Sequence, residues 1–169
     1  GAGGGGGGQA PAPPGPEGLG DALVRAQRTA RWLKSLPPGV ELVSMASMRL
    51  GEDDAVVLAD FVRAKGGSLR ELDLKCNNLS ASALGHVLAA LPSCPRLVGL
   101  ALGENPVGPG GGALLAAALD AMPSVQKLGL GGTRLGDEGV GALAMAAGRH
   151  PGLKVLGLSN NMVGAAATT

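Results

Sequence analysis

The strongest constraint on this chain is an internal repeat. Segments starting at Val40, Leu69, Leu97, Val125 and Leu153 share one spacing of apolar positions: apolar, two residues, apolar, one residue, apolar, two residues, usually Asn, one residue, apolar. The starts lie 29, 28, 28 and 28 residues apart. The sets run Val40, Val43, Met45, Met48, Leu50; then Leu69, Leu72, Leu74, Asn77, Leu79; then Leu97, Leu100, Leu102, Asn105, Val107. Val125, Leu128, Leu130, Thr133 and Leu135 form the fourth, and Leu153, Leu156, Leu158, Asn161 and Val163 the fifth. A near-constant period of this length marks stacked units that bury their apolar faces against one another. The two apolar residues one apart, such as Leu72 and Leu74, point the same way from a short strand, because strand side chains alternate. A second set at helical spacing follows each strand: Leu58 and Val62, Val87 and Leu91, Leu115 and Leu119, Leu143 and Ala147. Strands that each return through their own helix pair in parallel. Trp32 and Phe61 are the only aromatic residues, so regularly placed Leu, Val and Ala must supply the core volume, as a repeated layer does.

The spacing L-x-x-L-x-L-x-x-N-x-L resembles that of leucine-rich repeats. Its 28–29-residue period and helical second half are similar to the ribonuclease-inhibitor-like subfamily, shared by ribonuclease inhibitor, the NOD-like receptors and the Ran GTPase-activating protein. The resemblance covers Val40 to the C-terminus. It implies an α/β fold: a right-handed solenoid of about five repeats, with a parallel inner sheet and outer helices. It also implies that Asn77, Asn105 and Asn161 satisfy backbone groups where the chain leaves each strand, forming a ladder. Met48 and Thr133 interrupt that ladder; Met48 cannot make the bond, and Thr133 can make part of it.

Three regions follow. Residues 1–16 are Gly, Ala and Pro with one Gln, a tail with nothing to bury. Residues 17–38 form an N-terminal capping helix, with Leu19, Leu23, Ala26, Ala30 and Leu33 on its core face and Arg25, Arg28, Arg31 and Lys34 on a basic stripe; Pro37 and Pro38 end it. Residues 39–169 are the repeat array, whose end after the fifth strand motif reads as truncation or a place where further repeats continue. Pro95, Pro123 and Pro151, each two residues before the next repeat, are expected to stop every helix at the same point. Gly51, Ser80, Gly108, Gly136 and Gly164 follow each motif where the chain must turn tightly.

No catalytic constellation emerges. Cys76 and Cys94 form neither a zinc set nor a disulfide framework, and their low number makes a reducing, cytoplasmic setting the default. His86 and His150 read as solvated helix histidines, lacking the neighbours of a metal or nucleophile site. Glu52, Asp53 and Asp54, like Asp137 and Glu138, open helices and complement the helix dipole. The runs Gly3–Gly8 and Gly108–Gly112 lack the Lys and Ser/Thr of a phosphate loop. The sequence therefore calls for no enzyme, cofactor, metal or small-molecule substrate.

The partner expected is another protein, held on the inner face. The outward strand positions there are Leu42, Ser44 and Ala46; Glu71, Asp73 and Lys75; Gly99, Ala101 and Gly103; Lys127, Gly129 and Gly131; Val155, Gly157 and Ser159. The candidate binding residues are Glu71, Asp73, Lys75, Glu104 and Lys127. Most of the rest are small, so this surface either accepts a closely packed backbone or serves as a spacer. Two alternatives rank below this. One is a GTPase-activating or regulatory module, which the Ran-type resemblance allows. The other is nucleic-acid or membrane-surface binding through the basic N-terminal helix; a formal net charge of +1 gives the whole chain no pull toward polyanions, and no apolar run is long enough to span a membrane.

Overall fold

A computed structural model describes residues 22–161. The expected tail, Leu19 of the first helix, and the final motif positions Val163 and Gly164 lie outside that range. Five three-residue strands form one sheet: β1 (Leu42–Ser44), β2 (Glu71–Asp73), β3 (Gly99–Ala101), β4 (Lys127–Gly129) and β5 (Val155–Gly157). They are parallel and in sequence order. The register runs Val43, Leu72, Leu100, Leu128, Leu156 straight across the sheet, so equivalent residues of successive repeats are neighbours. Helices α2 (Glu52–Lys65), α3 (Ala81–Ala90), α4 (Gly108–Leu119) and α5 (Gly136–Arg149) return the chain from strand to strand. Helix α1 (Ala22–Lys34) precedes them and packs on α2. The Leu-rich motif positions and the inner helix faces form one continuous core between the two layers.

A second ladder lies beside the strands. Ser47, Cys76, Glu104, Gly132 and Asn160 all adopt positive φ, between 56° and 69°. Only one is glycine, and this conformation costs an L-residue roughly 1–2 kcal/mol. It persists because it aims each amide at the next repeat: Ser47, Cys76, Glu104 and Gly132 donate to the carbonyls of Lys75, Gly103, Gly131 and Ser159 at 2.8–3.0 Å.

The Asn ladder runs backward along the chain. Asn77 Oδ1 accepts from the Met48 and Leu50 amides of the preceding repeat, while Nδ2 donates to Met45 and Leu74. Asn105 accepts from Leu79 and donates to Leu74 and Leu102. Asn161 accepts from Thr133 and Leu135 and donates to Leu130 and Leu158. Among the described residues, Thr133 makes no side-chain bond to the repeat before it; its Oγ1 lies 2.7 Å from the Leu130 carbonyl of its own repeat and 2.9 Å from Asn161 Oδ1 of the next. In the two repeats without Asn, the next residue also turns left-handed: Arg49 at 55° and Arg134 at 59°.

Several expectations are corrected. Leu23 is 60% exposed, and the buried face of α1 is Ala26, Thr29, Trp32 and Leu33. Arg25 does not belong to a solvated stripe. Its Nε lies 3.2 Å from Asp54 Oδ2, a carboxylate with no exposed surface that also accepts from Thr29 Oγ1 and the Gly51 amide. Asp54 thus caps α2, as its place in the first turn implies, and fastens α1 to it. The prolines do not stop the helices at one point. Helices α3, α4 and α5 end at Ala90, Leu119 and Arg149, and a short 3-10 turn over Leu91–Ser93 takes up the difference after α3. Of the described post-motif positions, Gly108 and Gly136 turn left-handed (73° and 65°), whereas Gly51 and Ser80 are extended.

Neither histidine is simply solvated. His150 Nδ1 accepts from the Gly152 and Leu153 amides, which leaves Nε2 to donate to the Met122 carbonyl at 2.9 Å; the ring closes the end of α5 and ties it to the repeat before. His86 Nε2 meets Glu52 Oε2 at 3.3 Å, and Ser82 donates to the same oxygen. The hydrogen bond with His86, then that from Ser82, hold the Glu52 carboxyl below its ordinary range, joining α3 to α2.

Candidate functional site

The inner face consists of three rows running across the strands, because the period of 28 places equivalent positions side by side. The first row is Leu42, Glu71, Gly99, Lys127 and Val155. Leu42 and Val155, 51% and 56% exposed, bracket it. Between them the Lys127 ammonium reaches the Glu71 carboxylate at 3.2 Å. These residues sit on β2 and β4, about 10 Å apart through β3. The bridge therefore passes over Gly99, where a Cβ would lie 3.6 Å from both the Glu71 carboxylate and Lys127 Cε. A Cβ would fit beneath the bridge in ordinary contact, so only a longer side chain at residue 99 would obstruct it.

The second row, Ser44, Asp73, Ala101, Gly129 and Gly157, is bare over its last three strands. A Cβ at Gly129 or Gly157 would make only ordinary contacts, at 3.9 Å or beyond, so the space above them is open. At the charged end Lys75 Nζ lies 3.7 Å from Asp73 Oδ2, and the Lys75 amide donates to Asp73 Oδ1. The result is a shallow trough of about 360 Å³, floored by small residues and lined by Glu71, Asp73, Lys75 and Lys127.

Four of the five candidate residues are thus brought together, as two ion pairs that share β2 as the source of both acids. Glu104 is not with them. The left-handed turn carries its carboxylate over Gly132, where it leaves no room for a Cβ. There it borders a separate polar depression of about 260 Å³ with Asn77, Asn78, Asn105, Pro106 and Arg134. The pairing of Glu71 with Lys127 is encoded in the spacing, since 71, 99 and 127 are one period apart.

Among the described residues no cluster of three or more His, Cys, Asp or Glu side chains could hold a metal ion, and no helix is long and apolar enough to cross a membrane. Both cysteines are free: Cys76 is exposed, and Cys94 is buried.

A family model described as Leucine Rich repeat matches residues 68–84 and 121–144. No curated protein matches the sequence. Among solved structures, the chain is similar to the C-terminal domain of tropomodulin from Caenorhabditis elegans, with a TM-score of 0.60 and 18% identity over 76% of this chain and 78% of that one. It is also similar to actin-binding site 2 of leiomodin-1, with a TM-score of 0.60 and 16% identity over 80% of this chain and 77% of that one. At such identities these likenesses speak for the fold. Five in-register strands joined by four helices, the asparagine ladder beside them and the repeat-model match together give this chain a leucine-rich-repeat fold.

Proposed function

We propose that the chain is a protein-binding module whose inner face receives a segment of a partner protein. The observation that carries this is the bare strip Ala101–Gly129–Gly157 beside the Glu71–Lys127 and Asp73–Lys75 pairs. A floor of one alanine and two glycines lets a partner's backbone or helix approach the sheet closely. Exposed ion pairs contribute little to folding, so exchanging them for bonds to a partner costs the fold little. Leu42 and Val155 supply apolar contacts at the two ends. In this reading residues 17–38 act as the N-terminal cap, and Glu104 extends contacts along the loop rim.

The test fills the trough without disturbing the core. Gly129→Arg places a long side chain in open space, and Met145→Arg, at a position 74% exposed on the outer helices, is the matched control. Actin is the first defined partner to offer, because one similar structure is named for binding it, and lysate capture covers other proteins. Partners are expected on wild type and Met145→Arg and to be depleted on Gly129→Arg, with thermal unfolding unchanged in all three. Equal retention on Gly129→Arg would place binding away from the inner face.

A further inference from the structure

We propose a second interaction surface, distinct from the inner face: the groove between α1 and α2 docks an acidic amphipathic helix of a partner protein. The groove encloses about 360 Å³. Its walls are Ala30 and Leu33 from α1, and Val57, Phe61 and Ala64 from α2. Phe61, the chain's only phenylalanine, is half-buried there. Leu23, which its spacing assigns to the core, lies about two turns before Ala30 and three before Lys34 on the same stripe, yet is exposed. The apolar face of α1 is therefore wider than α2 alone covers.

Charge selects the occupant. Lys34 and Lys65 line the groove at the C-terminal ends of the two helices, and Arg31 and Arg63 share those last turns. The one acid in the lining, Asp60, is paired with Arg63 at 3.5 Å. Lys34 and Lys65 take part in no ion pair among the described residues. An apolar trough with cations at one end suits a helix with apolar residues at i, i+3, i+4 and i+7 and carboxylates flanking them. A membrane surface fits less well, since a recessed groove admits a ridge of side chains and gives a flat bilayer nothing to accept. The chain's own leading segment is also a poor match. Residues 1–16 are Gly, Ala and Pro with one Gln, which supply neither carboxylates nor large apolar side chains at helical spacing.

The experiment pans a phage-displayed library of 16-residue helical peptides against the full chain. The selected peptides are then measured by fluorescence anisotropy on wild type, Ala64→Arg and Lys34→Glu/Lys65→Glu. All three substituted positions are exposed, and circular dichroism verifies folding. Enrichment of acidic peptides with apolar helical stripes is expected, with affinity lost on Ala64→Arg and lowered on the order of tenfold by the charge reversal at low salt. Selected peptides without net negative charge, or binding unchanged on Ala64→Arg, would overturn the proposal. Anionic vesicles of phosphatidylserine and phosphatidylcholine that bind wild type while no peptide is enriched would also overturn it, assigning the basic end to a lipid surface.

Discussion

At the scale of single residues, the two cysteines differ in reactivity for a visible reason. Cys76 is exposed on a left-handed turn, whereas Cys94 is 4% exposed. Burial pushes the Cys94 thiol from its ordinary 9.0 up to about 11, and thiolate is the reactive form. A thiol reagent at neutral pH is therefore expected to modify one cysteine in the native protein and the second only after denaturant is added; rapid native labelling of both would contradict this burial. The same shift has a signed effect on stability. Above pH 9 the unfolded chain releases this proton while the folded protein keeps it, so the contribution is full below about pH 9 and is lost as pH rises toward 11. Chemical denaturation at stepped pH is expected to show a shallower decline over that window in Cys94→Ala than in wild type.

At the scale of elements, helices α4 and α5 meet through glycine. A Cβ at Gly112 would lie 2.8 Å from Gly139 Cα and 3.1 Å from Leu135 Cδ2. Backbone on the far side cannot yield as a flexible side chain would. Replacing a helical Gly by Ala gains about 1 kcal/mol of helix propensity, but forcing an extra carbon into a packed contact costs typically 1–3 kcal/mol. Gly112→Ala is expected to be net destabilising, by up to about 2 kcal/mol. Gly148→Ala, in α5 with nothing within 4 Å of the added carbon, is expected to stabilise by about 0.5–1 kcal/mol. Thermal unfolding of the two variants beside wild type checks both signs; a stabilised Gly112→Ala would mean that the helices can separate. Within the run Gly108–Gly112, Gly112 thus serves helix packing, a reason the composition of the run does not disclose. The strands and their order were legible because the same spacing recurs five times, once for each strand. The orientation of α1 was not, because it occurs once: Leu23, Ala26, Ala30 and Leu33 fit a helical stripe equally well whether it faces core or groove. Thr29 and Asp54 carried no local sign of their bond, since only the packing of α1 on α2 brings them together. Of the binding face, the rows and the Glu71–Gly99–Lys127 alignment follow from the period, while the departure of Glu104 depends on a left-handed turn at a non-glycine residue.

At the scale of the whole molecule, the asparagine ladder ties repeats together at every junction but the one that Thr133 occupies. Asn105 is 1% exposed and joins two repeats, accepting from the Leu79 amide and donating to the carbonyls of Leu74 and Leu102. Asn105→Ala leaves those groups buried without partners, at about 1–3 kcal/mol for each that water cannot reach. Thr133 shows what a hydroxyl retains at this position, a bond to the carbonyl three residues before. Asn105→Thr is therefore expected to keep the Leu102 contact, lose those to Leu74 and Leu79, and be destabilised less than the alanine variant. Because the energy of a stacked array is a sum of repeat and interface contributions, position also matters. Weakening the β2–β3 junction divides the array into two short pieces, each deprived of a neighbour. Weakening Asn161 affects the β4–β5 junction at one edge of the five-stranded sheet. Hydrogen exchange is expected to show lost protection on both sides of Asn105→Ala, from β2 through β4, but only around β4 and β5 in Asn161→Ala. Uniform loss across all five strands in both variants would mean that the repeats unfold as a single unit, and that the ladder sets total stability without dividing it.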